Sequence, residues 1–204
     1  MADPVAARPV LVLGSVSPRR VELLARLGLT PVIRPADLDE APLAGESADE
    51  LVTRLALAKV AAVASVSTAH GRDEVVLAAD TEVVLDGQAL GKPRDAADAT
   101  AMLTALSGRS HQVMTGLAVR RGTLTRHVVV TTRVAFRALH RDEIAWYVAT
   151  EEPMGKAGGY GLQGAGAALI DHIEGSDTNV IGLPLSATVA LLREVGFDVL
   201  ASPA

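Results

Sequence analysis

Residues 10–27 read VLVLGSVSPRRVELLARL, an apolar run followed at once by a turn and an amphipathic segment. The first four residues are typical of a short buried strand, and the spacing of the later leucines predicts a helix. Ser17 is a good N-cap and Pro18 has the fixed φ angle of a first helical position, so the helix is predicted to begin at Pro18. Its free N–H groups and the cations of Arg19 and Arg20 then meet at one point. This arrangement suits a phosphate ester, although such arginines are often only solvated.

The rest of the chain alternates predicted strands and helices, which is typical of an α/β protein. Strands are predicted over residues 75–85, 111–119, 128–139 and 167–173, with hairpin turns at 86–87 and 121–122. Helices are predicted over residues 47–64, 95–107 and 141–149, and a closing amphipathic helix begins at Pro184. Because hairpins are mixed with crossover connections, we expect a mixed sheet. A single domain over residues 1–204 is expected, with flexible tails at 1–8 and 199–204.

The composition excludes several classes of function. The 204-residue chain has a net charge of -5, which argues against a nucleic-acid partner because that interface requires a basic face. It has no cysteine, so disulfides, thiolate nucleophiles and cysteine-ligated zinc are excluded. No apolar run approaches the roughly 18 residues of a membrane span, and no signal-peptide core is present. We therefore expect a cytoplasmic protein without membrane contact.

Two charged residues occupy positions where apolar side chains are expected. Lys59 falls near the middle of the apolar face of the helix predicted at 47–64, where its ammonium requires a partner or must extend past small alanines to water. Asp80 interrupts the β-rich stretch 75–85, where an ionised carboxylate is costly unless a cation or hydrogen-bond donors meet it. The alternative for Asp80 is an exposed position at a strand end.

Weaker signals accompany these two residues. Period-two alternation puts Glu82 on the same strand face as Asp80, so the two could form a carboxylate pair. Residues 37–40 form the acidic run DLDE, which is either a solvated face or a source of hard oxygen ligands for Mg²⁺ or Mn²⁺. A proline-stiffened turn at 91–93 presents Lys92, as many surface turns do.

The glycine-rich segment 159–164, GYGLQG, matches the G-x-G-x-x-G pattern of dinucleotide-binding loops. We reject that interpretation because the pattern works only between a strand and a helix, whereas this segment precedes a β-like run. The glycines instead allow close backbone approach to a ligand, and Gln163 offers an amide for a base edge; the alternative is a flexible surface loop. The chain also lacks a G-x-x-x-x-G-K-[ST] loop, a G-x-S-x-G elbow and a histidine pair at ligand spacing.

Several short motifs occur in a fixed order along the chain. They are S-x-S-P-R-R at 15–20, R-L-A-x-x-K at 54–59, A-D-T at 79–81, G-K-P at 91–93, S-G-x-x-H-x-V-x-T at 107–115, K-A-G-x-Y-G-x-Q-G at 156–164 and N-V-x-G-L-P at 179–184. Each is weak alone, but together they strongly resemble the Maf family of nucleoside triphosphate pyrophosphatases, over residues 10–197. The resemblance implies an inosine triphosphatase-like fold, in which a long curved mixed sheet with helices forms two lobes around a cleft, often in a homodimer.

The resemblance also implies an activity and roles for individual residues. Members hydrolyse a nucleoside triphosphate to the monophosphate and pyrophosphate with a divalent cation. Asp80 would be the catalytic carboxylate that accepts a proton from water and, with Glu40, would hold Mg²⁺ or Mn²⁺. The residues that would bind the substrate phosphates are Ser15, Arg20, Lys59 and Lys92. Glu82 is assigned no role.

Substrate choice is implied by three further positions. These are Arg19, Thr81 and Gln163, and their combination is similar to the branch of the family that acts on dTTP, UTP and, by extension, modified pyrimidine triphosphates. The alternatives are a pyrophosphatase for 7-methyl-GTP or inosine triphosphate, and a non-catalytic nucleotide-binding regulator of cell division acting at septum formation.

Overall fold

The fold is a mixed α/β arrangement in the computed structural model, which describes residues 9–68 and 73–199. These residues form seven strands: β1 (Val10–Leu13), β2 (Val32–Ile33), β3 (Glu74–Leu85), β4 (Gln88–Ala89), β5 (Ser110–Arg121), β6 (Leu124–Phe136) and β7 (Ile170–Glu174). They also form six α-helices: α1 (Pro18–Ala25), α2 (Ala48–Thr68), α3 (Ala96–Leu106), α4 (Arg141–Ala149), α5 (Asp177–Ile181) and α6 (Leu185–Glu194). The expected α/β class with a mixed sheet is therefore confirmed.

The strands form one sheet in the order β2-β1-β3-β5-β6-β7, and β4 also pairs with β3. β1 is parallel to β2 and β3, whereas all other neighbouring strands are antiparallel. β1 pairs with β3 as far as Leu77, and β4 resumes the pairing at Val84. Between these points, no strand of the described chain pairs with that edge of β3. Asp80 lies in this gap.

Helices cover both faces of the sheet. α1 and α6 pack on one face with the side chains of Leu77 and Leu117, and α2 packs on the other face with Ala78 and Ala118. A Cβ atom at Gly116 of β5 would fall on the backbone carbonyl of Val52 in α2. Because only glycine leaves room for this approach, α2 can lie directly on the sheet.

Most of the predicted elements are confirmed, with two corrections. α1 begins at Pro18 and α4 spans Arg141–Ala149, as predicted. The strand predicted at 167–173 is wrong at its start, because Ala165–Leu169 forms a 3₁₀ helix and β7 begins only afterwards. The strand predicted to reach residue 139 ends at 136, because the next backbone N–H donates to the carbonyl of Leu169 outside the strand ladder.

Two short elements were not predicted, and most of the predicted tails cannot be compared. The two-residue strand β2 and the five-residue helix α5 have too few residues to show a period. The tail predicted at 1–8 lies outside the described residues. So does the tail at 199–204, except for Val199, which is buried in the core.

Candidate active site

A cleft of about 350 Å³ opens at the gap beside β3, a size typical of small-molecule sites. Its walls come from the β1–α1 loop, β3, the glycine-rich segment after α4 and the end of α5. All nine residues that the sequence assigns to a site line this cleft: Ser15, Arg19, Arg20, Glu40, Lys59, Asp80, Thr81, Lys92 and Gln163. The fold therefore brings these residues together from distant parts of the chain. Their individual roles stay predictions.

Lys59 lies between two carboxylates at the floor of the cleft. Its Nζ atom is 2.6 Å from Asp80 Oδ1 and 2.6 Å from Glu40 Oε1. Lys59 is 6% exposed and Asp80 is 7% exposed, so the interpretation in which the lysine extends to water is wrong. Burial acts to raise the pKa of Glu40, but the hydrogen bond and charge of Lys59 outweigh it and lower that pKa. The Glu40 carboxylate is thus held ionised beside a cation.

The packing of α2 explains this contact. Lys59 is in the middle of α2, among the apolar residues Ala56, Val60 and Val63 that contact the sheet. Asp80 projects from the same face of β3 as Ala78, so the two charges meet inside an otherwise apolar layer. A buried ion pair of this kind is seldom a gain in stability over apolar residues, which favours a functional reason for its presence.

Arg20 is held inside the wall of the cleft by the protein itself. Its Nε donates to the carbonyl of Gly182 at 2.9 Å, Nη1 to Ser15 Oγ at 3.0 Å and Nη2 to Thr81 Oγ1 at 3.2 Å. Burial lowers the pKa of Arg20, and the charge of Asp80 partly opposes this effect. Because a guanidinium has five N–H donors, two remain for a ligand in a fixed orientation.

Three other cations line the cleft with fewer contacts to the protein. Arg19 makes no hydrogen bond within the described part of the chain, and Lys92 Nζ lies 3.7 Å from Glu40 Oε2. Lys156 heads the K-A-G motif, and burial together with the charge of Arg19 lowers its pKa. The sequence analysis did not assign Lys156 to the site, although its place at the start of that motif was a usable signal.

Glu82 is a third carboxylate near this cluster. Burial and the nearby charge of Asp80 raise its pKa to about 7. Its Oε2 atom is buried without a hydrogen-bond partner among the described residues. Glu82 does not line the cleft, which agrees with the decision to assign it no role.

Glu152 organises the glycine-rich segment that forms one wall. It accepts hydrogen bonds from the Tyr147 hydroxyl at 3.0 Å and from the backbone N–H groups of Ala165 at 2.7 Å and Gly166 at 3.2 Å. The same Tyr147 hydroxyl accepts from the N–H of Gly161 at 3.1 Å. This network was not predicted, because an exposed-looking Glu-Glu pair before a loop carries no periodic signal.

Gln163 projects from that wall and contacts the first helix. Its Nε2 atom lies 3.3 Å from Glu22 Oε2, on the helix that also carries Arg19 and Arg20. The contact joins the glycine-rich segment to the opposite wall of the cleft. Glu22 is on the exposed side of α1 and does not itself line the cleft.

Among residues 9–68 and 73–199, no three histidine, cysteine, aspartate or glutamate side chains are grouped so that they could hold a metal ion on their own. In the same ranges, no helix combines the length and apolar character needed to cross a bilayer.

Comparison with known proteins gives consistent matches. The chain is 53% identical over 193 residues to a dTTP/UTP pyrophosphatase of Anaeromyxobacter dehalogenans (strain 2CP-C), covering 93% of this chain and 95% of that protein. It is 51% identical over 191 residues to a dTTP/UTP pyrophosphatase of Myxococcus xanthus (strain DK1622), covering 94% and 95%. A solved nucleoside-triphosphatase / dITP/XTP pyrophosphatase of Mycobacterium abscessus aligns with a TM-score of 0.42 and 16% identity over 91% of this chain and 97% of that one, too distant to support an argument.

The family comparison covers nearly the whole described fold. The family described as Maf-like protein matches residues 10–195, which include β1, every residue of the cleft and α6. Because this family matches most of the chain, and because relatives are about 50% identical over most of their length, this chain belongs to the Maf family.

Proposed function

We propose that this protein hydrolyses dTTP and UTP, and modified pyrimidine triphosphates of the same base type, to the nucleoside monophosphate and pyrophosphate. The observation that carries the proposal is the grouping of a buried carboxylate, Asp80, with four or more cations in one cleft of an acidic protein. A triphosphate is a compact polyanion, so it is attracted by this local cationic site despite the net negative charge. The names of the most similar relatives support the same substrates.

The residues of the cleft divide into groups by what they would contact. The phosphate oxygens would be bound by Ser15, Lys59, Lys92 and the two remaining donors of Arg20. Gln163 would contact the base, and Arg19 and Thr81 would contribute to the choice of substrate. Asp80 would accept a proton from the water that attacks the α-phosphorus, because its carboxylate is buried beside the phosphate-binding cations.

A divalent metal fits the residues present. The Asp80 and Glu40 oxygens already converge on one cation, the ammonium of Lys59. The two carboxylates can therefore contact a positive charge placed between them. Mg²⁺ is commonly held by one or two carboxylates together with substrate phosphates and water, which agrees with the lack of a larger acidic cluster in the described ranges. Asp80 and Glu40 would hold the metal. The metal would neutralise negative charge on the pyrophosphate leaving group.

The test is the release of pyrophosphate from dTTP and UTP by the purified protein with Mg²⁺ or Mn²⁺. Asp80→Asn should lower kcat by at least about a hundredfold, because it removes the proton acceptor. Asp171→Asn, on the exposed strand β7, is the matched control and should turn over at the normal rate. Undiminished turnover in Asp80→Asn would refute the proposed role, and no turnover of either nucleotide by the unaltered protein would refute the proposed function.

Three broader expectations belong with this proposal. The chain would act as one domain, in the cytoplasm, and as a homodimer. These expectations rest on composition and on the family resemblance. Sedimentation of the purified protein measures the oligomeric state directly.

A further inference from the structure

We infer that the buried hydroxyl of Thr115 positions Arg20, through Thr81, for contact with the phosphates of the substrate. The inference rests on the proposed function, because it concerns how one of the phosphate-binding residues is oriented. Thr115 is 0% exposed and does not line the cleft, so it can influence a nucleotide only through other residues. It is therefore a positioning residue and not a catalytic one.

Thr115 lies on β5, next to the strand that carries Asp80 and Thr81. It is the register partner of Thr81 in the antiparallel pair, and the two hydroxyl oxygens are 3.0 Å apart. Thr81 Oγ1 in turn accepts a hydrogen bond from Arg20 Nη2 at 3.2 Å. On its other side, Thr115 Oγ1 is 3.4 Å from the carbonyl oxygen of Asn179 in α5. These contacts form a continuous chain from the wall of the cleft into the core.

The chemistry of the groups gives this chain a direction. A guanidinium only donates hydrogen bonds and a carbonyl only accepts them, whereas a threonine hydroxyl donates one and also accepts. Arg20 therefore donates to Thr81. The hydroxyl proton of Thr81 is best directed to Thr115 at 3.0 Å, because its other acceptor, the carbonyl of Gly182, is 3.5 Å away and already accepts from Arg20 Nε at 2.9 Å. Thr115 then donates to the carbonyl of Asn179.

Asn179 is the fixed end of the chain. It is 0% exposed, and its Nδ2 atom donates to the carbonyl of Val113 at 3.0 Å and to Thr132 Oγ1 at 3.0 Å, which ties α5 to β5 and β6. Its carbonyl also accepts from the N–H of Gly182 at 3.0 Å, and the carbonyl of Gly182 accepts from Arg20 Nε. The guanidinium of Arg20 is therefore connected to one buried residue by two routes.

The Thr115 route matters because a long arginine side chain keeps one orientation only where its donors are held. Without the Thr115 hydroxyl, the proton of Thr81 has the more distant carbonyl of Gly182 as its remaining acceptor in this chain, and it would compete there with Arg20 Nε. The two free N–H donors of Arg20 would then lose their fixed direction toward a phosphate. Small errors in the placement of a binding group are costly to a reaction that depends on orientation.

The experiment compares Thr115→Val with Thr115→Ser. Valine keeps the shape of threonine without the hydroxyl, so kcat/KM for UTP, measured by pyrophosphate release, should fall by about tenfold or more. Serine keeps the hydroxyl but removes a buried methyl group, so it should be destabilised in urea unfolding yet keep nearly normal kcat/KM. A purely structural role predicts that activity follows stability, and a serine variant no more active than the valine variant would overturn the inference.

Two further variants separate positioning from a general effect of losing a buried hydroxyl. Thr188 is also 0% exposed, and its Oγ1 donates to the carbonyl of Pro184 at 2.9 Å, away from the residues that line the cleft. Thr188→Val should therefore leave kcat/KM unchanged. In an Arg20→Lys background, Thr115→Val should have little further effect, because an ammonium cannot make the forked contacts of a guanidinium. An equal fall in both backgrounds would mean that Thr115 does not act through Arg20.

The outcomes are distinct from those of the proposed function. Normal UTP turnover in Thr115→Val overturns the inference and leaves the pyrophosphatase activity standing. If the unaltered protein released no pyrophosphate, the proposed function would fail, and calorimetry with inorganic tripolyphosphate would still test the positioning of Arg20. Its affinity should be weakened in Thr115→Val and kept in Thr115→Ser. Equal affinities in the two variants, or no binding by the unaltered protein, would overturn the inference.

Discussion

One ammonium group, that of Lys59, is 2.6 Å from Asp80 and 2.6 Å from Glu40. In this arrangement one lysine contacts both residues proposed to hold the metal, and its single positive charge is shared between two carboxylates. A divalent ion arriving with a nucleotide would therefore share these carboxylates with Lys59 or displace it toward the phosphates. The balance between ammonium and metal at this point is open to direct measurement.

Replacing Lys59 with methionine should destabilise the protein without metal and strengthen metal binding. Removing one partner of a buried ion pair costs about 3–5 kcal/mol, because the remaining charge has lost its partner. Mn²⁺ should restore part of this loss, since it binds the folded state at carboxylates no longer occupied by the ammonium. Urea unfolding with and without Mn²⁺ measures both effects.

The control for this prediction is the double variant Lys59→Met with Asp80→Asn. It removes both charges, so it should be more stable without metal than Lys59→Met alone and should gain less from Mn²⁺. If Lys59→Met were as stable as the unaltered protein in the presence of a chelator, the ion pair would not be the buried, desolvated contact described here.

Gly116→Ala should disrupt the packing of α2 on the sheet. The added methyl group would meet the backbone of Val52, which cannot move without shifting the helix that carries Lys59. We expect a loss of at least about 3 kcal/mol in unfolding free energy, together with reduced kcat. Gly122→Ala is the control, since that turn glycine has a φ of 57° and open space around it, so only backbone strain of about 1 kcal/mol is expected. Equal losses in the two variants would contradict the steric explanation.

Tyr147→Phe should loosen the glycine-rich wall. The change removes one hydroxyl that donates to Glu152 and accepts from the N–H of Gly161. Glu152 keeps its hydrogen bonds from Ala165 and Gly166, but the half-buried N–H of Gly161 loses this partner, at a cost of about 1–3 kcal/mol. Trp146→Phe is a control from the neighbouring position, because Trp146 is 53% exposed whereas Tyr147 is 0% exposed. Urea unfolding followed by circular dichroism compares the two, and a larger loss in Trp146→Phe would contradict the described network.

Stability should fall in acid partly through His111. Burial lowers the pKa of His111 to about 4, whereas an unfolded histidine titrates near 6.5. Between these values the unfolded chain binds a proton that the folded chain does not. The free energy of unfolding is therefore unaffected by this histidine above pH 6.5. It decreases as the pH falls from 6.5 toward 4, by about 3 kcal/mol in total.

The variant His111→Gln isolates this effect. Its amide cannot titrate, yet it can still hydrogen bond with the Tyr160 hydroxyl that lies 2.7 Å from His111 Nε2. The difference in unfolding free energy between pH 7.5 and pH 4.5 should be smaller in the variant by about 2–3 kcal/mol. Identical pH dependence in both proteins would show that His111 does not titrate as described.

The sequence predicts those parts of the structure whose signals are local. The start of α1 follows from Pro18 at the first helical position, although the Ser17 hydroxyl makes no cap hydrogen bond, and the hairpins follow from turn residues. The run that begins at Ala167 is predicted as a strand but starts within a 3₁₀ helix, because a short run of small and branched residues has the same pattern in both. Such ambiguity is resolved only by tertiary contacts.

The site residues that could be predicted are charged residues within otherwise apolar stretches of sequence. Lys59 and Asp80 were found in this way, because each breaks the pattern of its element and burial of an ion requires a reason. Glu22 and Glu152 gave no such signal. Both occupy positions typical of solvated glutamates, and their contacts with the glycine-rich segment are set by the folded chain alone.

The exposed ring of Trp146 has a practical consequence. It is the only tryptophan in the 204-residue sequence, and its ring centroid lies 6.4 Å from that of Tyr147, whose hydroxyl holds the glycine-rich wall. Tryptophan fluorescence from this protein therefore comes from Trp146 alone, next to the tyrosine that contacts the glycine-rich wall. Stopped-flow fluorescence can thus test whether that wall moves during turnover without any added dye.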